Sequence, residues 1–170
     1  MVYQFMTAEL PPAAARLCAA CGMCCNGDLF HSVELQPGDF PRALSAAGLK
    51  IKRKAGREYF LQPCPAYQEC RCAIYDRRPA RCRLFKCRQL LRVTADESAE
   101  SSALEMIGEA RILVARVNAL ISLLAETNPN RALAKRCANA LTTSDWTPLH
   151  DELQSTMHAL ETLLDREFRP

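Results

Sequence analysis

Eight of the ten cysteines fall into two tight groups: Cys18, Cys21, Cys24 and Cys25 in the run CAACGMCC, then Cys64, Cys72, Cys82 and Cys87. Thiolates are soft ligands, and Cys-x2-Cys turns the chain back so that both sulfurs reach one ion, at about 2.3 Å for zinc. The eight could complete two four-coordinate sites, or one iron–sulfur cluster with thiols to spare. Cys18, Cys21 and Cys24 repeat the spacing twice, as in the run that holds a ferredoxin cluster. Cys64, followed by Pro65, is a candidate fourth ligand to that run. Neighbouring Cys24 and Cys25 project differently, which suits Cys25 to a second site with members of Cys72, Cys82 and Cys87. Either arrangement requires residues 64–87 to fold back on 18–25 and bring sulfurs to within about 4 Å of one another.

Disulfides are the competing chemistry for a cysteine-rich chain. The N-terminal stretch MVYQFMTAELPPAAARL has no basic start followed by an apolar core, so an exported protein is not expected. Crowding at Cys21, Cys24 and Cys25 also suits ligands better than bridges, which need separated and correctly aimed partners. No apolar run approaches the length of a membrane span. The expectation is a cytoplasmic protein with metal-bound thiolates.

The elements that must position these residues change character along the chain. Leu29 to Leu35 has the alternation of a short strand, and Gln36-Pro37-Gly38-Asp39 predicts a turn with Asp39 near the N-cap of a helix that Gly48 closes. Lys50–Lys54 and Arg57–Gln62, around Ala55-Gly56, predict a hairpin. Cys64-Pro65 and Arg78-Pro79 mark corners on either side of strand-like Cys72–Tyr75, so the second cysteine group is expected on loops and short strands. From Ser98 onward, Leu104, Ile107, Ala110, Val114, Val117, Ile121 and Leu124 recur at helical spacing. Two further helices are expected, from Arg131 to Leu141 and from Pro148 to Phe168, the last after Thr147 as cap. The predicted class is α+β. A small loop- and strand-rich, metal-organised module over 1–92 packs with a mainly helical extension over 93–170.

Charge follows the same division. Residues 50–92 carry thirteen Lys or Arg against three acids, a balance of +10, while 93–170 stand at −5 and 1–49 at −2. A basic segment is a common nucleic-acid signature. Here eight thiolates on two divalent ions would move the total of +3 to −1, so the sequence favours metal-site neutralisation as the use of that charge.

The blocks Cys18-Ala-Ala-Cys21-Gly22-Met-Cys24-Cys25, Cys64-Pro65 and Cys72-Ala-Ile-Tyr75-Asp76-Arg-Arg78-Pro79-Ala-Arg-Cys82-Arg83-Leu-Phe85-Lys-Cys87 resemble the YkgJ-type cysteine-cluster family, known by its CxxCxxCC motif. The resemblance covers about residues 16 to 90, with the blocks in the family's order. It implies zinc or iron chelation by the shared cysteines and leaves the biochemical role undefined. Some of the wider group are flagellin lysine methylases with an iron–sulfur cluster. The six glycines here form neither a dinucleotide fingerprint nor a phosphate loop, and the Cys-x3-Cys-x2-Cys spacing of radical enzymes is missing. No acid, base or nucleophile constellation adjoins the cysteines, so a non-enzyme is favoured.

Around the ligands, Tyr75, Asp76, Arg78, Arg83 and His31 are candidates to brace the loops and donate hydrogen bonds to sulfur. Cys70 reads as a spare thiol and Cys137 as a packing residue in an Ala-rich helix. His150 and His158 read as ordinary helix residues. Three functions remain in view: a chelator of zinc or iron, an iron–sulfur redox or methylase-accessory protein, and a zinc-organised nucleic-acid module using Lys50 to Arg57. All-cysteine tetrahedral sites accept both metals, so the cofactor stays zinc or iron, the latter as an ion or an iron–sulfur cluster. The partners expected are the metal ion and a protein partner or second copy on the C-terminal helices, with nucleic acid less favoured.

Overall fold

The chain carries eight helices and two small antiparallel sheets in a computed structural model that describes residues 12–126 and 128–170. Residues 1–11, part of the stretch read above for an export signal, lie outside the described residues. In order, the elements are α1 (Ala13–Cys21), α2 (Met23–Asn26), β1 (Ser32–Glu34), α3 (Pro41–Ala46), β2 (Lys52–Lys54) and β3 (Arg57–Leu61). They continue with β4 (Tyr67–Gln68), β5 (Arg71–Cys72), a 3-10 turn (Tyr75–Arg77), α4 (Ala80–Leu84), α5 (Arg88–Thr94), α6 (Glu100–Leu123), α7 (Leu133–Ala140) and α8 (Pro148–Glu167).

The expected hairpin is β2–β3, and β1 joins it in the order β1-β3-β2, with Val33 opposite Phe60 and Arg53 opposite Glu58. The three C-terminal helices are also present, and the class is α+β. Ile107, Ala110, Val117 and Ile121 of α6 face Leu153, Met157, Leu160 and Leu164 of α8 in the larger of two cores. Leu120, which with Leu113 widens the predicted face, is buried, whereas Leu104 of the predicted stripe is exposed and Ala103 is buried in its place. Cys137 is buried in this core, in line with a packing role.

Leu17 of α1, Met23 of α2, Leu29 and Leu90 of α5 belong to the same core as the long helices. The smaller core is five buried residues, Leu44, Leu49, Phe60, Ala66 and Ile74, under the three-stranded sheet and α3.

Three local expectations are corrected. Asp39 does not cap α3, whose N-cap is Phe40 with no side-chain bond. Asp39 instead accepts from the Gln36 amide and from the Ala80 amide at the start of α4, both at 2.8 Å, so a long-range donor outcompetes the local one. Tyr75 is not in a strand: β5 ends at Cys72, and the Arg77 amide closes a turn onto the Ile74 carbonyl ahead of Pro79. His150 is no ordinary helix residue, because it is buried and its Nδ1 accepts from the Thr147 amide at 3.0 Å to cap α8.

Gly27 has φ +91°, and a Cβ there would stand 3.0 Å from the Ala132 backbone and 3.4 Å from Gln62 Cβ. Gly48, at φ +92°, has nothing within 4 Å. Left-handed strain alone costs about 1–2 kcal/mol. Gly48→Ala is therefore expected to lose about that much in urea unfolding, and Gly27→Ala clearly more because the backbone of α7 must also shift. Equal losses would show that the approach to α7 is not constraining.

Candidate metal centre

The first cysteine group sits on two helices that meet at a reversal. Gly22 ends α1 in the left-handed region (φ +69°), donating its amide to the Cys18 carbonyl at 3.0 Å, and α2 starts at the next residue. Cys18 and Cys21, three apart, share a side of the last turn of α1. Met23 is fully buried and pins α2, which carries Cys24 and Cys25 before Gly27 ends it.

The second group comes back onto α2 through main-chain bonds. The Gln62 side chain, itself buried, donates Nε2 to the Cys24 carbonyl at 2.9 Å, and the Cys64 amide donates to the Cys25 carbonyl at 2.8 Å. Cys72 is placed by pairing with Tyr67 across the β4–β5 hairpin, and Cys82 is the middle residue of α4. Cys87 is the N-cap of α5, its sulfur accepting from the Leu90 amide at 3.5 Å.

The thiols resolve into two neighbourhoods. Burial raises Cys24 well above the ordinary thiol range, and the charges of Cys21, Cys25, Cys87 and Cys18 add to it. Burial likewise pushes Cys21 to about 12, with Cys87 and Cys18 contributing. On the other side burial pushes Cys82 to about 12 and Cys25 to about 11, with Cys64 and Cys72 acting on both and Cys18 acting more weakly on Cys25, which stands between the two neighbourhoods. Cys64 is raised by burial and by Cys72. Packing draws the same line independently: Cys21, Cys24 and Cys87 border the larger core, and Cys64, Cys72 and Cys82 the smaller one. Compared with the division suggested by spacing, Cys64 and Cys87 exchange places.

The expected fold-back of 64–87 onto 18–25 is present at the backbone. Closure of the sulfurs is not: among the described residues no three Cys, His, Asp or Glu side chains form a group that could hold a metal. Burial favours the neutral thiols, and neighbouring thiolates would repel one another. All ten cysteines are free thiols. Eight thiols, seven of them half-exposed and Cys18 exposed, are a donor set that fits thiophilic ions such as zinc or iron.

A family model with the description "CxxCxxCC: Putative zinc- or iron-chelating domain" matches residues 17–104, just over half of the chain. The chain belongs to the CxxCxxCC family. No curated protein and no solved structure matches it. The CxxCxxCC match runs past the last cysteine of the second group into the first residues of α6.

Of the five bracing candidates in this CxxCxxCC chain, Arg78 faces the thiols. Its positive charge draws the pKa of Cys18, Cys25 and Cys82 down, against the burial that raises each. Tyr75 positions it: the Arg78 guanidinium lies 3.6 Å from the Tyr75 ring centroid, and Arg78 Nε donates to the Tyr75 carbonyl at 2.9 Å. Asp76, Arg83 and His31 are exposed, and their side chains have no hydrogen bond or ion pair among the described residues. His31 contributes through its carbonyl, which accepts the Gln62 amide at 3.0 Å.

Two residues of the site had no distinguishing signal in the sequence. Tyr67 places its hydroxyl where a Cβ on Gly22 would stand, hydrogen-bonds Cys70, and is pushed to about 12 chiefly by burial. Gln62 holds the Cys24 carbonyl. Cys70 itself is exposed at the tip of the β4–β5 hairpin, at φ +60°.

Because Cys21, Cys25 and Cys82 have folded pKa values above the ordinary thiol value of 9.0, their contribution to stability is present below that value and lost as pH rises towards about 11 to 12. Chelator-treated protein should therefore lose stability across that alkaline window. Metal-loaded protein should not, since its thiolates are already deprotonated. Urea midpoints measured from neutral to alkaline pH with and without chelator test this, and parallel curves would contradict it.

Proposed function

We propose that the chain is a non-enzymatic metal chelator that binds zinc or iron on two tetrathiolate sites. Cys18, Cys21, Cys24 and Cys87 form one, and Cys25, Cys64, Cys72 and Cys82 the other. The observation that carries the reading is that packing separates Cys21, Cys24 and Cys87 from Cys64, Cys72 and Cys82, and the electrostatic neighbours of the thiols follow the same division, with Cys87 acting on Cys18 and with Cys64 and Cys72 leading on Cys25. Membership of a family described as chelating zinc or iron supports metal as the ligand. The reading keeps the two-part organisation, with a cysteine module over 1–92 and a helical extension over 93–170, and a reducing, cytoplasmic compartment that suits ten free thiols.

In this mechanism the protein's task is to hold thiols that are hard to ionise until an ion displaces their protons. The bound ion supplies the positive charge that makes closely spaced thiolates stable. Gln62 and the Cys64 amide fix the α2 backbone, so that Cys24 and Cys25 point to different sets. Arg78, held by Tyr75, offsets excess thiolate charge at both. Binding is expected to order the smaller core most, since five buried residues bury little apolar surface by themselves.

An iron–sulfur cluster is the second reading and is favoured by one feature. Cys18-x2-Cys21-x2-Cys24 with a remote fourth thiol is a cluster-holding pattern, and Cys87, whose charge acts on Cys21 and Cys24, supplies that fourth thiol in this reading.

Elemental analysis and acid-labile sulfide on anaerobically purified protein decide between them. Two metal ions per chain without sulfide support the two-site reading, and about four irons with sulfide and a brown colour support the cluster. Cys24→Ser and Cys82→Ser should each release about one equivalent of metal, while Cys70→Ser and Cys137→Ser retain it all. Metal loss in Cys137→Ser equal to that in Cys24→Ser would refute the assignment.

A further inference from the structure

The excess of Lys and Arg that the thiolates were expected to absorb is not all near them. Arg78 is the cation that acts on the cysteine sulfurs, whereas the cations of α3 and the β2–β3 hairpin act on none of the shifted thiols. Arg42, Lys50, Lys52 and Lys54 are exposed and have no acid contact among the described residues. Arg53 and Arg57 pair with Glu58 and Glu34, yet their side chains remain 74% and 70% exposed. β2 is an edge strand with all three residues facing solvent.

Three of these cations, Arg42, Lys52 and Arg53, line an open groove of about 460 Å³ together with Pro41, Ser45, Ile51 and Glu58, the acid that pairs with Arg53. Phe40, the residue before Pro41 of that lining, is 76% exposed. Lysines on an edge strand also prevent strand-to-strand aggregation, which accounts for Lys52 and Lys54. That explanation does not cover a solvent-facing aromatic ring or the arginine on the helix beside it. Cations that can track phosphates, next to a ring on which a base can stack, are the two parts of a single-strand site.

We infer that the face formed by α3 and the β2–β3 hairpin binds single-stranded nucleic acid, with Arg42, Lys52 and Lys54 on phosphates and Phe40 stacked on a base. The site is separate from the cysteine sets and does not depend on which metal they hold.

Fluorescence anisotropy of the full chain as purified, with labelled oligo-dT and oligo-U of about twelve nucleotides, reads this directly. With three or four phosphates neutralised, log affinity should fall against log salt with a slope of about −2 to −3 between roughly 50 and 300 mM. Lys52→Glu with Lys54→Glu should weaken binding at least about tenfold, and Phe40→Ala about five- to tenfold with the slope unchanged. Arg131→Glu with Lys135→Glu, just before and on α7, makes the same change in net charge and should stay within about twofold of wild type. Metal content and circular dichroism, unchanged across the variants, confirm that each is folded. Absence of binding at low salt would overturn the inference, as would an equal loss in the α7 variant. It would equally fail if polyglutamate displaced the strand at matched charge while Phe40→Ala had no effect, because the face would then recognise acidic protein.

Discussion

The cysteine region depends on a chain reversal at Gly22 that is filled from the other side by the Tyr67 ring. A Cβ at Gly22 would fall 2.0 Å from the Tyr67 hydroxyl, so the residue must lack one for steric as well as torsional reasons. Because the turn is that tight, α1 and α2 present their cysteines at an angle to one another rather than along one continuous helix. Met23, buried just after the turn, prevents α2 from swinging away. The bonds from the Gln62 side chain to the Cys24 carbonyl and from the Cys64 amide to the Cys25 carbonyl then have a fixed target.

The two sets of thiols differ in what lies behind them. One borders a core of eighteen buried residues to which the long helices α6 and α8 contribute most, while the other borders a core of five. Apolar burial scales with the number of residues that share it, so the smaller side has far less to offset the entropy of its loops. Adjacent Cys24 and Cys25 lie at the seam between the two sides. Asp39 reinforces the weaker side by joining the turn before α3 to the start of α4.

Charge is distributed by function as well as by segment. Arg78, stacked on Tyr75, works against the burial that keeps three thiols protonated. On the helical part, cations find acids instead: Arg16 meets Glu100, Arg92 meets Glu167, and Arg169 reaches Glu161 and Asp165. The α3–hairpin face keeps its charge exposed.

Periodicity alone was enough to place α6, α7 and α8 and the β2–β3 hairpin, because their apolar spacing and turn residues are local properties of the chain. Cysteine spacing was enough to mark the metal-binding region, since Cys-x2-Cys is itself a local geometry. The helix α1 was not legible: it is short, and its inner side is defined only once Leu17 is seen buried against the long helices. Which cysteines share a neighbourhood was decided only by tertiary structure. Cys87 falls beside Cys18 and Cys21 because α5 packs on α1, and Cys64 falls beside Cys72 because the β4–β5 hairpin turns it there. Likewise Asp39, Tyr67 and Gln62 found partners more than thirty residues away in sequence, or in a turn whose shape no local pattern specifies. Local sequence encodes torsions and faces, whereas the meeting of distant side chains follows from how the faces pack.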